Sequence, residues 1–483
     1  MTSDEPYDVA VLGMGPAGLG AAIEASRSDL RVLGIDEAPE AGGQIYRASP
    51  PGFRLRNGTG SPESRAGDRL RRELEASAVE TAFRHRIWSV QDTSGRFQVE
   101  TVAPSGLRTY HAYRLVIATG ANERVGPVPG WTMPGVIGLA GASRLLKADH
   151  ILPGYNVVLA GNGPLLLAVA VSIIKGGGRV SAIVDQSSRA EWLRALPGLM
   201  SSPDVARRGL KWSFDVRRAG VPLFYGYGVR RVLGERSVEG VEITQVDHRG
   251  APVLGGKVLT LQTDCVALGN GLVPATEITR LLRLKHVSRP LRGGWLPECD
   301  AAGRTSDRRI FAVGDCAGIF GGRAAEHAGR LTGLELTSAV HRDDTLRRKT
   351  DRRKLQSSLR ATRRTGDAVA RLMRPRDGAL DFVTPETIVC RCEDVIRSEI
   401  EEASSDGAFD VNQLKAWTRC GMGPCQGRMC SETVSALFAA RSEPPAGSSL
   451  AGWTSRPPIR PLSVDLGVGN YTLDDIKPPV LGH

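Results

Sequence analysis

The stretch YDVAVLGMGPAGLGAAIEASRSDLRVLGIDE, residues 7–37, decides the fold. An apolar strand runs into a glycine-rich turn, an alanine-rich helix follows, and a second apolar strand closes on acids. In the turn, Gly13 permits the tight bend, Gly15 lets the backbone approach a pyrophosphate, and Gly18 lets helix and strand pack closely. The phosphates then meet the N-terminus of the helix. This ordered pattern predicts a dinucleotide-binding unit.

The second strand of this unit ends in two acids, Asp36 and Glu37. A carboxylate about twenty residues beyond the first glycine can accept hydrogen bonds from the hydroxyls of a ribose. Asp36 is the candidate, and Glu37 is the alternative.

The same plan is repeated in NVVLAGNGPLLLAVAVSIIKGGGRVSAIVDQ, residues 156–186. Gly161 and Gly163 lie in its turn, and Asp185 closes its second strand. Leu166 replaces the third glycine, which leaves open whether a nucleotide such as NAD or ATP binds there or whether the unit serves only for packing. Asp185 would repel a 2'-phosphate, so NADP is disfavoured.

Each unit ends in an apolar strand that closes on glycine, RLVIATGA at 114–121 and DCVALGNGLVP at 264–274. Hairpin-like strands precede both of these segments. The sequence therefore predicts an α/β fold with two Rossmann-like dinucleotide-binding domains.

Composition limits the class of protein. With 483 residues, 41% of them apolar and 24% charged, the chain is expected to be soluble and to form two to four compact units. Its eight cysteines do not follow the pattern of a disulfide framework, and its acidic start is unlike a signal peptide, so we expect a cytoplasmic protein. Residues 157–174 carry no charge and reach the lower length limit of a membrane span. The glycines within that run favour a buried strand, a turn and a buried helix instead.

Much of the net charge of +11 lies in one segment. Residues 342–376 contain thirteen Lys or Arg and four Asp. The apolar residues of the segment could share part of one helical face; they are Leu346, Leu355, Leu359, Val369 and Leu372. We predict a basic helix that packs on a neighbouring domain or subunit. No aromatic residues alternate with the charges, which argues against a nucleic-acid partner, and membrane contact would be peripheral at most.

A late element, IFAVGDC at 310–316, reads as a strand that ends in Gly314 and Asp315 before a glycine-rich turn and a helix. Such an acid suits the ribityl and phosphate part of a flavin, or it caps its own helix. In their order, these pieces resemble the two-dinucleotide-domain flavoprotein family, which includes glutathione reductase-like and ferredoxin reductase-like enzymes. The resemblance covers about residues 5–340 and implies that the first unit binds FAD.

The resemblance also implies which residues contact FAD. They lie in the first glycine turn, at the end of the second strand, in the stretch GGQIYR, in the strand that ends in ATG (residues 118–120) and in the strand that ends in GD (residues 314–315). These residues are Gly13, Gly15, Gly18, Asp36, Glu37, Gly43, Gln44, Arg47, Thr119, Gly120, Gly314 and Asp315. The stretch GGQIYR, residues 42–47, stands where the disulfide reductases of this family have a redox cysteine pair. Thiol-disulfide chemistry at that site is therefore excluded.

A small C-terminal block contains two cysteine pairs, Cys390 and Cys392 in IVCRCEDV, and Cys425 and Cys430 in GPCQGRMC, with Cys420 between them. A structural zinc, a 2Fe-2S cluster and a chance group of thiols are the alternatives. Zinc sites usually present CxxC pairs, whereas four thiolates, two to each iron, suffice for a 2Fe-2S cluster. A helix predicted to begin near Cys430 would favour the thiolate form there.

The pattern CRCE followed by GMGPCQGRMC resembles the bacterioferritin-associated-ferredoxin type of 2Fe-2S domain. The resemblance implies that Cys390, Cys392, Cys425 and Cys430 are the ligands and leaves Cys420 without a metal role. We expect the chain to divide into an FAD-binding domain in two parts (1–145 and 276–340), a second nucleotide-binding domain (146–275), a basic helical connector (341–385), a small mainly α 2Fe-2S domain (386–440) and a proline-rich tail (441–483).

The whole chain resembles the larger, A-type subunit of opine oxidases, hydrogen cyanide synthase and heteromeric proline or hydroxyproline dehydrogenases. The motifs that carry this resemblance are GGQIYR, VPGWTMPGV, DCVALGNGLVPATEITRLL, GDCAGIFGG and VNQLKAWTRCGMGPCQGRMC. It implies a flavin and iron-sulfur electron-transfer subunit of an FAD-dependent oxidoreductase that acts on CH-NH bonds. By this resemblance, a smaller FAD subunit resembling D-amino-acid oxidase would oxidise the substrate. Some relatives hold FMN at the subunit interface. Whether the complex also contains a small third subunit stays open.

No catalytic triad is recognisable, so the catalytic residues stay unknown. Glu326 and His327 are the nearest approach to an acid-base pair, but neighbours on a helix do not face each other. Two other functions remain. One is a self-sufficient NADH-dependent reductase, which is disfavoured because Leu166 replaces the third glycine of the second motif. The other is a scaffold that has lost its cofactors, which is disfavoured because the first glycine motif and the four cysteines of the two pairs are intact.

Overall fold

The first sheet grows from the apolar strand near the start of the chain. The computed structural model describes residues 5–48, 62–341, 346–441 and 453–467. The first elements are β1 (Tyr7–Leu12), α1 (Pro16–Ala25), β2 (Val32–Asp36), α2 (Pro62–Glu75), β3 (Glu80–Phe83), β4 (Arg86–Thr93), β5 (Arg96–Ala103), β6 (Gly106–Ile117) and β7 (Ala121–Glu123). Their order in the sheet is β3-β2-β1-β6-β5-β4. Strands β1, β2, β3 and the end of β6 are parallel, whereas β4, β5 and the start of β6 form an antiparallel meander.

The second unit follows the same plan. Its elements are β8 (Val136–Gly138), α3 (Leu139–Arg144), β9 (Asn156–Gly161), α4 (Leu165–Lys175), β10 (Arg179–Asp185), α5 (Arg189–Met200), α6 (Pro203–Arg218), β11 (Leu223–Tyr225), β12 (Tyr227–Leu233), β13 (Gly240–Gln245), β14 (Val258–Gln262), β15 (Cys265–Gly269) and β16 (Leu272–Pro274). Five strands form a parallel sheet in the order β11-β10-β9-β15-β8, and β12, β13 and β14 form a separate antiparallel sheet. The uncharged run 157–174 is thus the predicted buried strand and helix.

The chain then returns to the first sheet. The returning elements are α7 (Glu277–Leu281), β17 (His286–Arg289), β18 (Gly294–Pro297), β19 (Ile310–Ala312) and α8 (Gly322–His341). Strand β19 pairs with β6 in parallel, so the second unit is inserted between two halves of the first. Strands β7 and β16 pair antiparallel and form the link between the units.

Helices α1 and α8 pack closely because glycines face backbone atoms across their contact. A Cβ atom on Gly329 would lie 1.9 Å from the carbonyl oxygen of Ala17. A Cβ atom on Gly20 would lie 2.7 Å from the carbonyl oxygen of Glu326. This contact holds the two halves of the first domain together.

The basic segment forms the long helix α9 (Leu346–Leu372), as expected from its apolar spacing. Leu359 is buried beside Leu331 of α8, and Ala368 lies against Gly198 of α5, where an added Cβ would come within 2.6 Å. Helix α9 therefore packs on both units. Among the described residues, no helix combines the length and the apolarity needed to cross a bilayer.

A small domain with its own core follows the connector. Its elements are β20 (Ile388–Cys390), β21 (Val395–Ile396), α10 (Arg397–Ser405), α11 (Val411–Thr418) and α12 (Ser431–Arg441). Apolar side chains of the helices fill the core, including Ile400, Leu414 and Leu437.

The predicted proline-rich tail is described only over residues 453–467, and its parts 442–452 and 468–483 lie outside the described residues. Within the described part, Trp453 is buried in the core of the small domain. Ile459 is buried in the core of the first domain. The described tail therefore packs on both of these domains.

We expect Gly329→Ala to destabilise the protein by about 1–3 kcal/mol, because the new methyl group would meet the backbone of α1. Gly209→Ala in α6 is the matched control, since no described atom lies within 4 Å of its added Cβ, and alanine should there stabilise the helix by up to about 1 kcal/mol. Denaturant unfolding of both variants measures the difference. Equal unfolding midpoints for the two would contradict this account of the helix contact.

Candidate functional site

The glycine turn of the first unit forms a narrow phosphate cradle. Gly13 has φ +101°, and a Cβ atom there would lie 2.5 Å from the carbonyl oxygen of Ala118. A Cβ atom on Gly18 would lie 1.8 Å from the carbonyl oxygen of Gly13. Both positions therefore require glycine, for the reasons that the motif predicts.

Asp36, rather than Glu37, lies at this turn. Its carboxylate accepts hydrogen bonds from the backbone N–H of Met14, at 2.6 Å, and of Ala38, at 2.8 Å. Burial raises the pKa of Asp36, and the backbone donors oppose that rise. Glu37 points outward and lies 3.7 Å from the guanidinium of Arg460 in the tail. Each oxygen of Asp36 keeps a lone pair for a ribose hydroxyl.

The stretch GGQIYR forms the opposite wall of the cradle. A Cβ atom on Gly43 would lie 3.0 Å from the Cα atom of Gly15, so the two backbones face each other closely. Arg47 donates to the side-chain oxygen of Gln44 at 2.9 Å. Its Nε is buried and has no hydrogen-bond partner among the described residues. Burial, and then the nearby Arg144, lower the pKa of Arg47. An unpaired guanidinium N–H beside a phosphate cradle fits an anionic cofactor.

The ATG and GD strands end side by side at the same cleft. The hydroxyl of Thr119 donates to the carbonyl oxygen of Ala275 at 2.8 Å and thereby holds the returning chain. Gly120 has φ +75° and faces open space. Asp315 accepts backbone hydrogen bonds from Phe320 and Gly321, and burial raises its pKa. Its Oδ1 is buried without a partner in the described part of the chain, as an acceptor for a ribityl hydroxyl would be. The first unit thus fits FAD.

Asp185, the acid that closes the second strand of the second unit, forms hydrogen bonds within the protein. The carboxylate of Asp185 accepts one hydrogen bond from the backbone N–H of Ser187 and one from the indole N–H of Trp192, both at 2.8 Å. Asp185 is 3% exposed, and burial raises its pKa to about 6. This acid holds the start of α5.

The connector lies across the glycine turn of the second unit. Asn162 donates its side-chain N–H to the carbonyl oxygen of Arg374 at 3.3 Å, and Ser187 donates its hydroxyl to that of Leu372 at 3.2 Å. A Cβ atom on Gly163 would lie 2.6 Å from the side chain of Met373. Residues 372–374 therefore lie against the turn at which this type of fold receives a pyrophosphate, and a cavity lined by Gly161, Asn162, Arg374 and Arg376 remains beside them.

Five cysteines meet in the small domain. The Sγ atoms of Cys390, Cys420 and Cys430 lie within 4.8 Å of one another, and Cys392 forms a side-chain pair with Cys425. Thiols of Cys420 and Cys430 donate hydrogen bonds that hold the pKa of the Cys390 thiol well below its usual range. The backbone N–H that follows Cys420 also donates to the sulfur of Cys390, at 3.4 Å.

This arrangement fits a 2Fe-2S cluster. Cys390, Cys420 and Cys430 form one thiol group, Cys392 and Cys425 form a second, and each iron of such a cluster takes two sulfurs. Helix α12 begins directly after Cys430, as predicted. The closeness of Cys420 to Cys390 and Cys430 was not expected from the sequence.

The cysteine loop is attached to the larger domains by buried charges. Arg428 lies between Cys425 and Cys430 and makes a 2.7 Å ion pair with Glu277. Glu432, in the first turn of α12, forms an ion pair with Arg124, which follows the ATG strand. This attachment places the thiols next to the link between the two nucleotide-binding units.

Glu326 and His327 do not form an acid-base pair. Both carboxylate oxygens of Glu326 accept from one nitrogen, Nη2, of Arg69 at 2.9 Å, and Oε1 also accepts from Nε of Arg330. It is therefore a member of a buried ion-pair network. His327 is half-buried, and burial lowers its pKa.

Sequence reasoning missed four contact residues, Arg124, Met373, Arg428 and Trp453. Arg428 could have been suspected because it lies between two predicted ligands. Trp453 is a large aromatic residue in a tail of small and polar ones. Arg124 and Met373 carry no local signal.

We expect Cys425→Ser to abolish the visible absorption and the electron paramagnetic resonance signal of the cluster, since one iron would lose a thiolate. Cys420→Ser is the matched control, because it removes a buried thiol to which the ferredoxin-type resemblance gives no metal role, and it should keep both signals. Loss of both signals in Cys420→Ser, with retention in Cys425→Ser, would contradict the assignment.

Comparison with known proteins agrees with this geometry. Residues 7–340 match the family model of pyridine nucleotide-disulphide oxidoreductases, and residues 388–440 match that of the BFD-like 2Fe-2S binding domain. The A-type subunit of opine oxidase from Agrobacterium tumefaciens is 33% identical over 466 residues, which cover 94% of this chain and 90% of that protein. The HcnB subunit of hydrogen cyanide synthase from Pseudomonas aeruginosa is 32% identical over 429 residues, with 87% and 90% covered.

Among solved structures, L-proline dehydrogenase from P. horikoshii aligns over 96% of this chain and 80% of that chain, with a TM-score of 0.67 and 21% identity. That likeness supports the fold. The matched families and relatives together show that the chain belongs to the pyridine nucleotide-disulphide oxidoreductases and is a flavoprotein of the group that includes the A-type subunits of opine oxidases and HcnB, with a BFD-like 2Fe-2S domain.

Proposed function

We propose that the chain is the flavin and 2Fe-2S electron-transfer subunit of a heteromeric oxidase or dehydrogenase. Its complex oxidises the CH-NH bond of an amine, an amino acid or an opine. That bond is broken on a smaller, FAD-containing partner subunit that resembles D-amino-acid oxidase. Two relatives named as subunits, one of an opine oxidase and one of a hydrogen cyanide synthase, support this proposal.

The observation that carries the proposal is the presence of two cofactor-type sites in one chain, a glycine cradle and a group of cysteines. The first unit offers Gly13, Gly15, Gly18, Asp36 and Asp315 to FAD, whereas the connector lies against the glycine turn of the second unit. When bound, FAD accepts electrons in pairs and the cluster passes them on one at a time.

The residues around the thiols hold them close to the flavin-type domain. Arg428 and Glu277 form one partly buried ion pair, and Arg124 and Glu432 form another. Removing one partner of such a pair leaves the other charge without its counterion. These pairs therefore keep the cluster domain in one position, as efficient electron transfer requires.

Four thiolates, Cys390, Cys392, Cys425 and Cys430, are the proposed cluster ligands. FMN at the interface with the partner and a cytoplasmic location stay predictions.

The alternative, an NADH-dependent reductase, needs an open crevice in the second unit. Met373 lies against Gly163, and the backbone of the connector takes hydrogen bonds from Asn162 and Ser187. NADH would therefore meet a turn that this segment partly covers.

We therefore expect NADH alone to leave the flavin of the purified chain oxidised under anaerobic conditions. The amine substrate should bleach that flavin only when the partner subunit is present. A spectrophotometric titration with proline, hydroxyproline, glycine and opines, with and without the co-purifying partner, measures this, and dithionite serves as the control for reducible flavin. Rapid bleaching by NADH alone would contradict the proposal.

A further inference from the structure

The tail residue Trp453 lies on the loop that carries the cysteines. A Cβ atom on Gly421 would lie 1.9 Å from the benzene edge of its indole, and one on Gly427 would lie 2.0 Å from it. Both glycines have positive φ angles, +80° and +79°. The loop therefore presents bare backbone on this side, and the indole packs directly against it.

The two glycines lie among the cysteines of the loop. Gly421 follows Cys420, and Gly427 lies between Cys425 and Cys430. Trp453 is 4% exposed and belongs to the same core as the thiols. Its ring thus packs against the loop that carries Cys420, Cys425 and Cys430, within the same core.

Several contacts fix Trp453 in this place. Arg280 donates from its guanidinium to the carbonyl oxygen of Trp453 at 2.8 Å. The backbone N–H of Thr454 donates to the side-chain oxygen of Asn412 at 3.0 Å. The ammonium group of Lys415 lies 5.7 Å from the centre of the indole ring, within the range of a cation–π contact.

The segment then runs from the cysteine loop to the first domain. Gln426 donates its side-chain N–H to the carbonyl oxygen of Pro458 at 2.7 Å, and Arg428 donates to that of Ile459 at 2.8 Å. The backbone N–H of Ile459 donates to the carbonyl oxygen of Trp88 at 2.9 Å. Ile459 is 6% exposed in the core of the first domain. The tail thus spans the two domains that are proposed to exchange electrons.

We propose that Trp453 is a positioning residue that seals the iron-sulfur cluster against water and small oxidants. The inference rests on the proposed function, because it requires a cluster at the cysteines. The apolar shell around a metal centre controls the access of solvent and thereby its redox potential. Water next to the cluster stabilises its more negative, reduced form, so a loop without the indole will hold a cluster that is easier to reduce and easier to destroy.

The test compares three variants of the full chain. In Trp453→Ala, the visible absorption of the cluster should bleach several-fold faster in air with an iron chelator, and the reduction potential of the cluster should rise. Trp453→Phe should restore most of the protection, since a ring still covers Gly421 and Gly427. Trp417→Ala is the matched control, because Trp417 lies in the same domain, is 55% exposed and is not among the residues nearest to either glycine; it should bleach at the wild-type rate.

All rates are measured well below the unfolding midpoint of each variant, so that unfolding does not set them. A wild-type rate and potential in Trp453→Ala would overturn this inference alone. Equal acceleration in Trp453→Ala and Trp417→Ala would also overturn it, because general destabilisation would then explain the loss. A wild-type chain without an iron-sulfur spectrum would overturn the proposed function and this inference together.

Discussion

Partly buried arginines between the domains are the interaction on which the proposed electron path depends. Arg124 donates to the carbonyl oxygens of Leu272 and Gly293 and pairs with Glu432 at the start of α12. Burial lowers its pKa to about 10, so it stays charged at neutral pH. One side chain therefore connects the strand that leaves the flavin-type domain, the returning chain and the helix after the last cysteine. Because a buried cation needs its partners, the three parts are held in one arrangement.

The connector packs on the second unit at the turn where its motif would place a nucleotide. The parallel sheet and the turn are those of a nucleotide-binding domain, but Met373 and its neighbours lie on the turn, and Asp185 holds α5. Leu166 is 1% exposed and adds apolar packing where a third glycine would allow close approach. The unit thus serves as a platform on which α9 and the cluster domain pack.

Most of the first domain could be predicted from the sequence, because its constraints are local. Gly13 and Gly18 are required by backbone atoms a few residues away or in the adjacent strand end, and they repeat a known spacing. The sequence spacings Cys390–Cys392 and Cys425–Cys430 were also recognisable, and the assignment of these four residues as ligands stays a prediction from the resemblance. Three contacts could not be predicted: Cys420 lies close to Cys390, Met373 lies against Gly163, and Trp453 lies on Gly421 and Gly427. Each of these contacts joins segments that are far apart in the sequence.

The central claim is that one chain holds a flavin and a 2Fe-2S cluster that reduce together. Anaerobic titration of the wild-type chain with dithionite, followed by visible absorption and electron paramagnetic resonance and normalised to flavin and iron content, tests it most directly. The account predicts the uptake of about three electrons per chain, two on the flavin and one on the cluster. Uptake of about two electrons, with no iron-sulfur resonance at any point of the titration, would contradict it.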